Sequence, residues 1–156
     1  MKGTTSTKYE MLALERTPSQ SVEHSKGRLT EIGYNKKIFF CDTYALIEII
    51  GGNKNYKKYK DAALVTSEFN LIELYYHFLK NYSKDSAEHY FNHWLNLCIR
   101  IPHTAIKSGM EIKLANKKER LSYVDCIGYA FALESGILFL TGDSKFENKI
   151  RVEFVK

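Results

Sequence analysis

The sequence predicts an α/β domain of three layers, with a mostly parallel central sheet held between two layers of helices. Two observations predict this. Short apolar runs rich in Ile, Val, Leu and Phe recur from Ile38 onward, and segments of helical length separate them. Strands that alternate with helices need crossover connections, which join parallel strands and cover both faces of the sheet. The length fits as well: 156 residues suit one domain, and a chain of this size buries about 70% of its unfolded surface.

The elements follow in order. Residues 1–37 hold ten apolar residues scattered among Thr, Ser, Lys and Gly. They are expected to form a flexible tail, with the domain proper spanning residues 38–156. Ile38-Phe39-Phe40-Cys41 reads as a first buried strand. Thr43–Ile50 reads as a helix stopped by Gly51-Gly52, and residues 53–62 as a short basic helix or loop. Leu64-Val65-Thr66 is the second strand. Ser67 can cap a helix running to about Asn81, and Ser83 or Asp85 another running to about Cys98. Ile99-Arg100-Ile101 is expected as a third strand, ended by Pro102. Two helices are expected at Thr104–Asn116 and Ser122–Glu134, the second closed by Ser135-Gly136. Ile137–Leu140 and Val152-Glu153-Phe154 complete a five-stranded reading.

Composition narrows the function classes. The three cysteines, Cys41, Cys98 and Cys126, lie in apolar runs without finger spacing; they read as buried thiols of a reducing compartment. No apolar stretch approaches the roughly 18 residues of a membrane span. The N-terminus has no apolar core of signal-peptide type. A cytoplasmic protein is expected, and no glycine-rich nucleotide-binding loop is present. The net charge of +5 is ordinary for solubility and compatible with a polyanionic ligand.

In open α/β sheets ligands bind beyond the carboxyl ends of the strands, and acids gather there. Asp42 follows the first strand and Asp143 the strand ending at Leu140. Asp125 opens the helix before that strand, and Glu73 lies within the helix after Leu64–Thr66. Simpler roles exist: Asp42 as a helix cap, Asp125 as the partner of Ser122 in a capping box, Asp143 as a turn residue. Glu73 resists such a role. Its helix is apolar almost all round, with Phe69, Ile72, Tyr76 and Leu79 on the face of Glu73, so the carboxylate is expected to be buried and costly unless paired or metal-bound. Four acids around one crevice raise one another's pKa; a divalent cation resolves the conflict, and carboxylate ligands suit Mg²⁺ or Mn²⁺. Such an ion acidifies water and stabilises charge on a phosphoryl group, which points to phosphodiester hydrolysis.

The segments Phe39-Phe40-Cys41-Asp42-Thr43, Ile72-Glu73-Leu74, Leu121-Ser122-Tyr123-Val124-Asp125-Cys126 and Phe139-Leu140-Thr141-Gly142-Asp143-Ser144-Lys145-Phe146 together resemble the PIN domain in order and spacing. The resemblance covers about Ile38 to Val155, and its compactness is similar to that of VapC-type toxins, the ribonuclease halves of toxin–antitoxin pairs. It implies a PIN-like α/β/α fold and an acidic quartet of Asp42, Glu73, Asp125 and Asp143 that serves catalysis and holds metal. It implies supporting hydroxyls at Thr43 and Thr141, Mg²⁺ with Mn²⁺ as substitute, an RNA substrate, a cognate antitoxin and a homodimer. The tail departs from the pattern, because PIN toxins usually start almost at the first strand.

Among the remaining signals, Lys54, Lys57, Lys58 and Lys60 interleave with Tyr56 and Tyr59. They read either as a solvated face or as a phosphate-binding rim with aromatic support. Lys113, Lys117, Lys118 and Arg120 form a second basic patch, and Lys145 lies two residues past Asp143. His89 and His93 share a helix face without a third ligand nearby, and His77 reads as a plain helix-face residue. The expected function is a Mg²⁺-dependent endoribonuclease of the toxin type. The rivals are an RNA-processing nuclease (rRNA or tRNA maturation), a nuclease on structured DNA, and a non-catalytic RNA- or protein-binding module.

Overall fold

The computed structural model describes residues 37–59 and 61–156; apart from Lys37, the expected tail lies outside the described residues, as does Lys60. Strand β1 (Ile38–Cys41) leads into helix α1 (Thr43–Ile50), a 3₁₀ turn (Lys54–Tyr59) and strand β2 (Ala63–Val65). Helices α2 (Glu68–Asn81), α3 (Lys84–Leu95) and α4 (His103–Ala115) follow. A 3₁₀ turn (Lys117–Glu119) precedes α5 (Tyr123–Ser135), then come strand β3 (Leu138–Thr141), a 3₁₀ turn (Ser144–Phe146) and strand β4 (Val152–Phe154). The sheet has the order β2-β1-β3-β4, and every pairing is parallel.

The expected three layers are present, because side chains along a strand alternate between faces. Phe39 and Cys41 of β1 and Leu140 of β3 pack with Ala45 and Leu46 of α1, Leu71, Leu74 and Phe78 of α2, and Trp94 of α3. Phe40 and Phe139 point the other way, to Ile112 of α4 and Phe131 of α5. Each such fully buried side chain contributes about 1.5–3 kcal/mol. Helices α4 and α5 approach closely at Gly109, where an added Cβ would stand 2.8 Å from the Ile127 Cα. All three cysteines are buried and free, as expected.

Two expectations are corrected. Ile99–Ile101 is no strand. The chain touches the sheet edge through a single bridge, Thr66 to Cys98, with Ile99 N–H donating to the Thr66 carbonyl at 2.9 Å. Pro102 then starts α4, so the segment turns its isoleucines into the core before a ladder can form. The second correction concerns α2. It buries Leu71, Leu74 and Phe78, but Ile72 (64% exposed), Tyr76 (65%) and Leu79 (44%) face outward. The face that carries Glu73 is therefore an uncovered apolar stripe, and Glu73 itself is half-buried.

Candidate active site

The parallel register sets Cys41 of β1 beside Leu140 of β3, so the residues leaving these two central strands at their carboxyl ends meet. Asp42 is 1% exposed. It caps α1, its Oδ1 accepting from the Ala45 N–H at 2.7 Å. Its Oδ2 accepts from the Thr141 hydroxyl, and that hydroxyl oxygen accepts from the Asp143 N–H at 2.9 Å. Thr141 thus joins the first acid to the turn that carries the last. Capping and site membership coincide at Asp42, since one carboxylate oxygen serves each.

The other acids arrive from the helices. Glu73 of α2 accepts from the Thr43 hydroxyl, next in sequence to Asp42. Thr43 also accepts from the Asn70 amide at 3.3 Å, and Asn70 in turn accepts from Ser67 at 2.6 Å. Asn70 is fully buried, and the helix-cap spacing of Ser67 was the one sign of it in the sequence. Asp125 accepts from the Ser122 hydroxyl at 2.6 Å, while its N–H donates to the same oxygen at 2.9 Å, so the expected Ser122–Asp125 capping pair forms. Asp143 caps the turn that follows it, accepting from the Lys145 N–H at 3.0 Å. The Lys145 ammonium lies 3.9 Å from Asp143 Oδ2.

The four acids sense one another. Burial, reinforced by the charges of Asp125 and Asp143, pushes the Asp42 carboxyl up to about 8, against opposing hydrogen bonds from Thr141 and Ala45. Burial also raises Asp125, with Asp143 adding to the shift and Lys145 opposing it. Glu73 is raised by burial and by Asp125, against the Thr43 hydroxyl. Without a counter-ion the cluster therefore retains protons that isolated carboxylates would lose.

A resident cation fits this donor set, which is made of hard carboxylate oxygens with no soft ligand. Among the described residues no three acids or other ligating side chains close into a ready-made cage. That agrees with Mg²⁺, which keeps several waters and takes one or two carboxylates directly.

The basic residues divide. The Lys54–Tyr59 turn follows the C-terminal end of α1, whereas Asp42 caps the N-terminal end, about 1.5 Å per residue away along eight residues. Its tyrosines are core residues: Tyr56 and Tyr59 are 2% and 3% exposed, donating to the Val155 carbonyl and to Glu153. They offer no surface for a base. Lys58 pairs with Glu153 at 3.2 Å, while Lys54 and Lys57 face solvent. His89 and His93 lie edge-on to Tyr90 and Trp94, and His77 hydrogen-bonds Asn81.

Comparison with known proteins agrees with this architecture. The family model described as PIN domain matches residues 39–151. VapC20 of Mycobacterium tuberculosis, described as a Sarcin-Ricin loop cleaving toxin, is similar with a TM-score of 0.64 and 17% identity, over 76% of this chain and 99% of that one. VapBC2 of Rickettsia felis, bound to a promoter DNA fragment, is similar at 0.61 and 17%, over the same shares. PAE2754 of Pyrobaculum aerophilum is similar at 0.57 and 13%, over 76% and 90%. No curated protein sequence matches the chain. The match of the family model across most of the domain, on a parallel sheet whose central strands deliver acids to one crevice, places the chain in the PIN domain family.

Proposed function

We propose that the chain is a Mg²⁺-dependent endoribonuclease and the toxin of a toxin–antitoxin pair. The observation that carries this reading is the convergence of Asp42, Asp125 and Asp143, whose mutual repulsion holds protons that a divalent cation would displace. Asp42, Glu73, Asp125 and Asp143 would hold the ion, which when bound supplies a lowered pKa for water and charge neutralisation at a phosphoryl group. The chain's own residues do the rest. Ala45 and Thr141 fix the Asp42 carboxylate, and Thr43 orients Glu73. The Lys145 ammonium stands where an entering phosphate would pass Asp143. Attack by water, with no side-chain nucleophile, leaves a 5′-phosphate and a 3′-hydroxyl.

The neighbours described as a VapBC pair and a toxin–antitoxin complex support an antitoxin partner. The uncovered stripe Ile72, Tyr76 and Leu79 supports an apolar interface, and a homodimer is part of the proposal. Among the described residues no helix is long and apolar enough to cross a membrane. The test is incubation of purified protein with mixed cellular RNA, with Mg²⁺ or with chelator, followed by sequencing of the RNA ends. Cleavage that needs Mg²⁺ and is abolished by Asp42→Asn is expected; cleavage indifferent to both refutes the assignment.

A further inference from the structure

The crevice is flanked asymmetrically. On the side of α1 and its following turn, the tyrosines are buried and Lys58 is neutralised by Glu153. On the side of α5 the opposite holds. Tyr123, in the first turn of α5 and two residues before Asp125, is 63% exposed. It is not loose: the Lys113 ammonium sits 4.3 Å from its ring centroid and donates to the Leu121 carbonyl. A cation held against one face of a ring fixes the ring's plane and leaves the other face to solvent.

Cations surround this ring. Lys117, Lys118 and Arg120 are exposed in the turn that leads into α5. The nearby Glu119 is paired with Lys149 at 3.0 Å. Arg120 adopts a left-handed backbone conformation, φ 53°, uncommon for a residue with a side chain. Its carbonyl accepts from the Lys145 ammonium at 3.4 Å. Lys145 therefore links this turn to Asp143, and its charge reaches Asp125 as well. An exposed, oriented aromatic ring beside a row of cations, both leading to acids that handle phosphate, is the arrangement that single-stranded nucleic acid uses: stacking for a base, cations for the backbone.

We infer that RNA enters along the α5 side of the crevice, with an unpaired base stacked on Tyr123 and its phosphates tracked by Arg120 and Lys145, and that the Lys54–Lys58 turn takes no part. This rests on the endoribonuclease reading and assigns that site its substrate form, a single-stranded segment or loop.

The test measures binding of a fluorescein-labelled single-stranded RNA to the full chain carrying Asp42→Asn, which leaves the RNA intact. In that background Tyr123→Ala is expected to weaken binding about tenfold, since stacking on one aromatic ring is worth about that much. Tyr123→Leu should lose as much and Tyr123→Phe should restore binding, which separates stacking from bulk. The pair Arg120→Ala/Lys145→Ala should lower the slope of log affinity against log salt by about two, one for each lost phosphate contact. Tyr82→Ala, an equally exposed aromatic past the end of α2, and Lys54→Ala/Lys57→Ala should leave affinity and slope unchanged. Melting curves confirm that each variant is folded. RNA binding that is indifferent to Tyr123, Arg120 and Lys145, or that falls with Lys54 and Lys57 instead, overturns the inference and leaves the nuclease reading standing. Absence of RNA binding by the parent protein overturns both.

Discussion

Replacing Asp42 with Asn should reverse the pH dependence of stability at one site, by an amount that the buried cluster sets. In the folded, metal-free protein the carboxyl holds its proton up to about 8; in the unfolded chain it releases it near 3.8. Between these values the folded state binds the extra proton, so its stability falls as pH rises. The contribution is fully present below the unfolded pKa and gone above the folded one. One proton difference gives a slope of about 1.4 kcal/mol per pH unit. From about pH 5 to pH 7 the wild type should thus lose about 2.7 kcal/mol relative to Asp42→Asn, or about 10 °C in Tm for a domain of this size. The variant retains the rest of the geometry. Its amide oxygen can still accept from the Ala45 N–H, and its NH₂ can donate to the Thr141 hydroxyl, an oxygen with lone pairs for two donors. The assay is thermal unfolding followed by circular dichroism, with chelator present, at several pH values. Parallel Tm profiles for the two proteins would show that Asp42 is not held protonated, and with it would fall the argument that the acids lack a counter-ion.

The other predictions are read from the same coordinates. Glu73→Gln should leave metal-free stability equal or higher. Saturating Mg²⁺ should add about 2.7 kcal/mol to the wild type at a hundredfold excess over Kd and much less to the variant, with RNA cleavage down by orders of magnitude; equal Mg²⁺-induced Tm shifts remove Glu73 from the site. Thr141→Val keeps the shape but strips Asp42 of a donor and the Asp143 N–H of its acceptor. A loss of about 1–3 kcal/mol in denaturant unfolding is expected, and an unchanged midpoint contradicts it. Gly109→Ala drives a methyl into the Ile127 backbone, which cannot rotate away. A loss of about 1–3 kcal/mol is expected, and wild-type stability would mean that α4 and α5 separate freely.

Most of this architecture is legible in the residues themselves. The β1 run Ile38–Cys41, the Gly51-Gly52 stop and the hydroxyl caps Ser67, Ser83 and Ser122 are local signals, and the structure realises each of them. Ile99–Ile101 misled because a buried apolar run looks the same whether it pairs in a sheet or lies under one. The α2 stripe misled for a related reason: apolar residues all round a helix indicate that something covers it, and in the isolated chain nothing described does. The expectation that Tyr56 and Tyr59 support phosphate binding failed on a tertiary fact, their hydroxyls reaching Val155 and Glu153 nearly a hundred residues away. Tyr123 was invisible for the opposite reason. In sequence it is one more aromatic at a helix start, and only its exposure and the ammonium of Lys113 give it a role.

The hydroxyl of Thr141 and the carboxylate of Asp42 are 99 residues apart in the chain. On a ribosome adding about 5–20 residues per second, the first acid waits roughly 5–20 s for its partner to be made. Throughout that interval β1, the strand destined for the middle of the sheet, has β2 on one side and an open edge on the other. The crevice cannot assemble until β3 has emerged and paired, so a growing or prematurely terminated chain carries all the early acids and none of the finished chemistry. For a protein proposed to cut RNA, that order of synthesis keeps the ribosome and message that produce it out of reach of the product until translation is nearly complete.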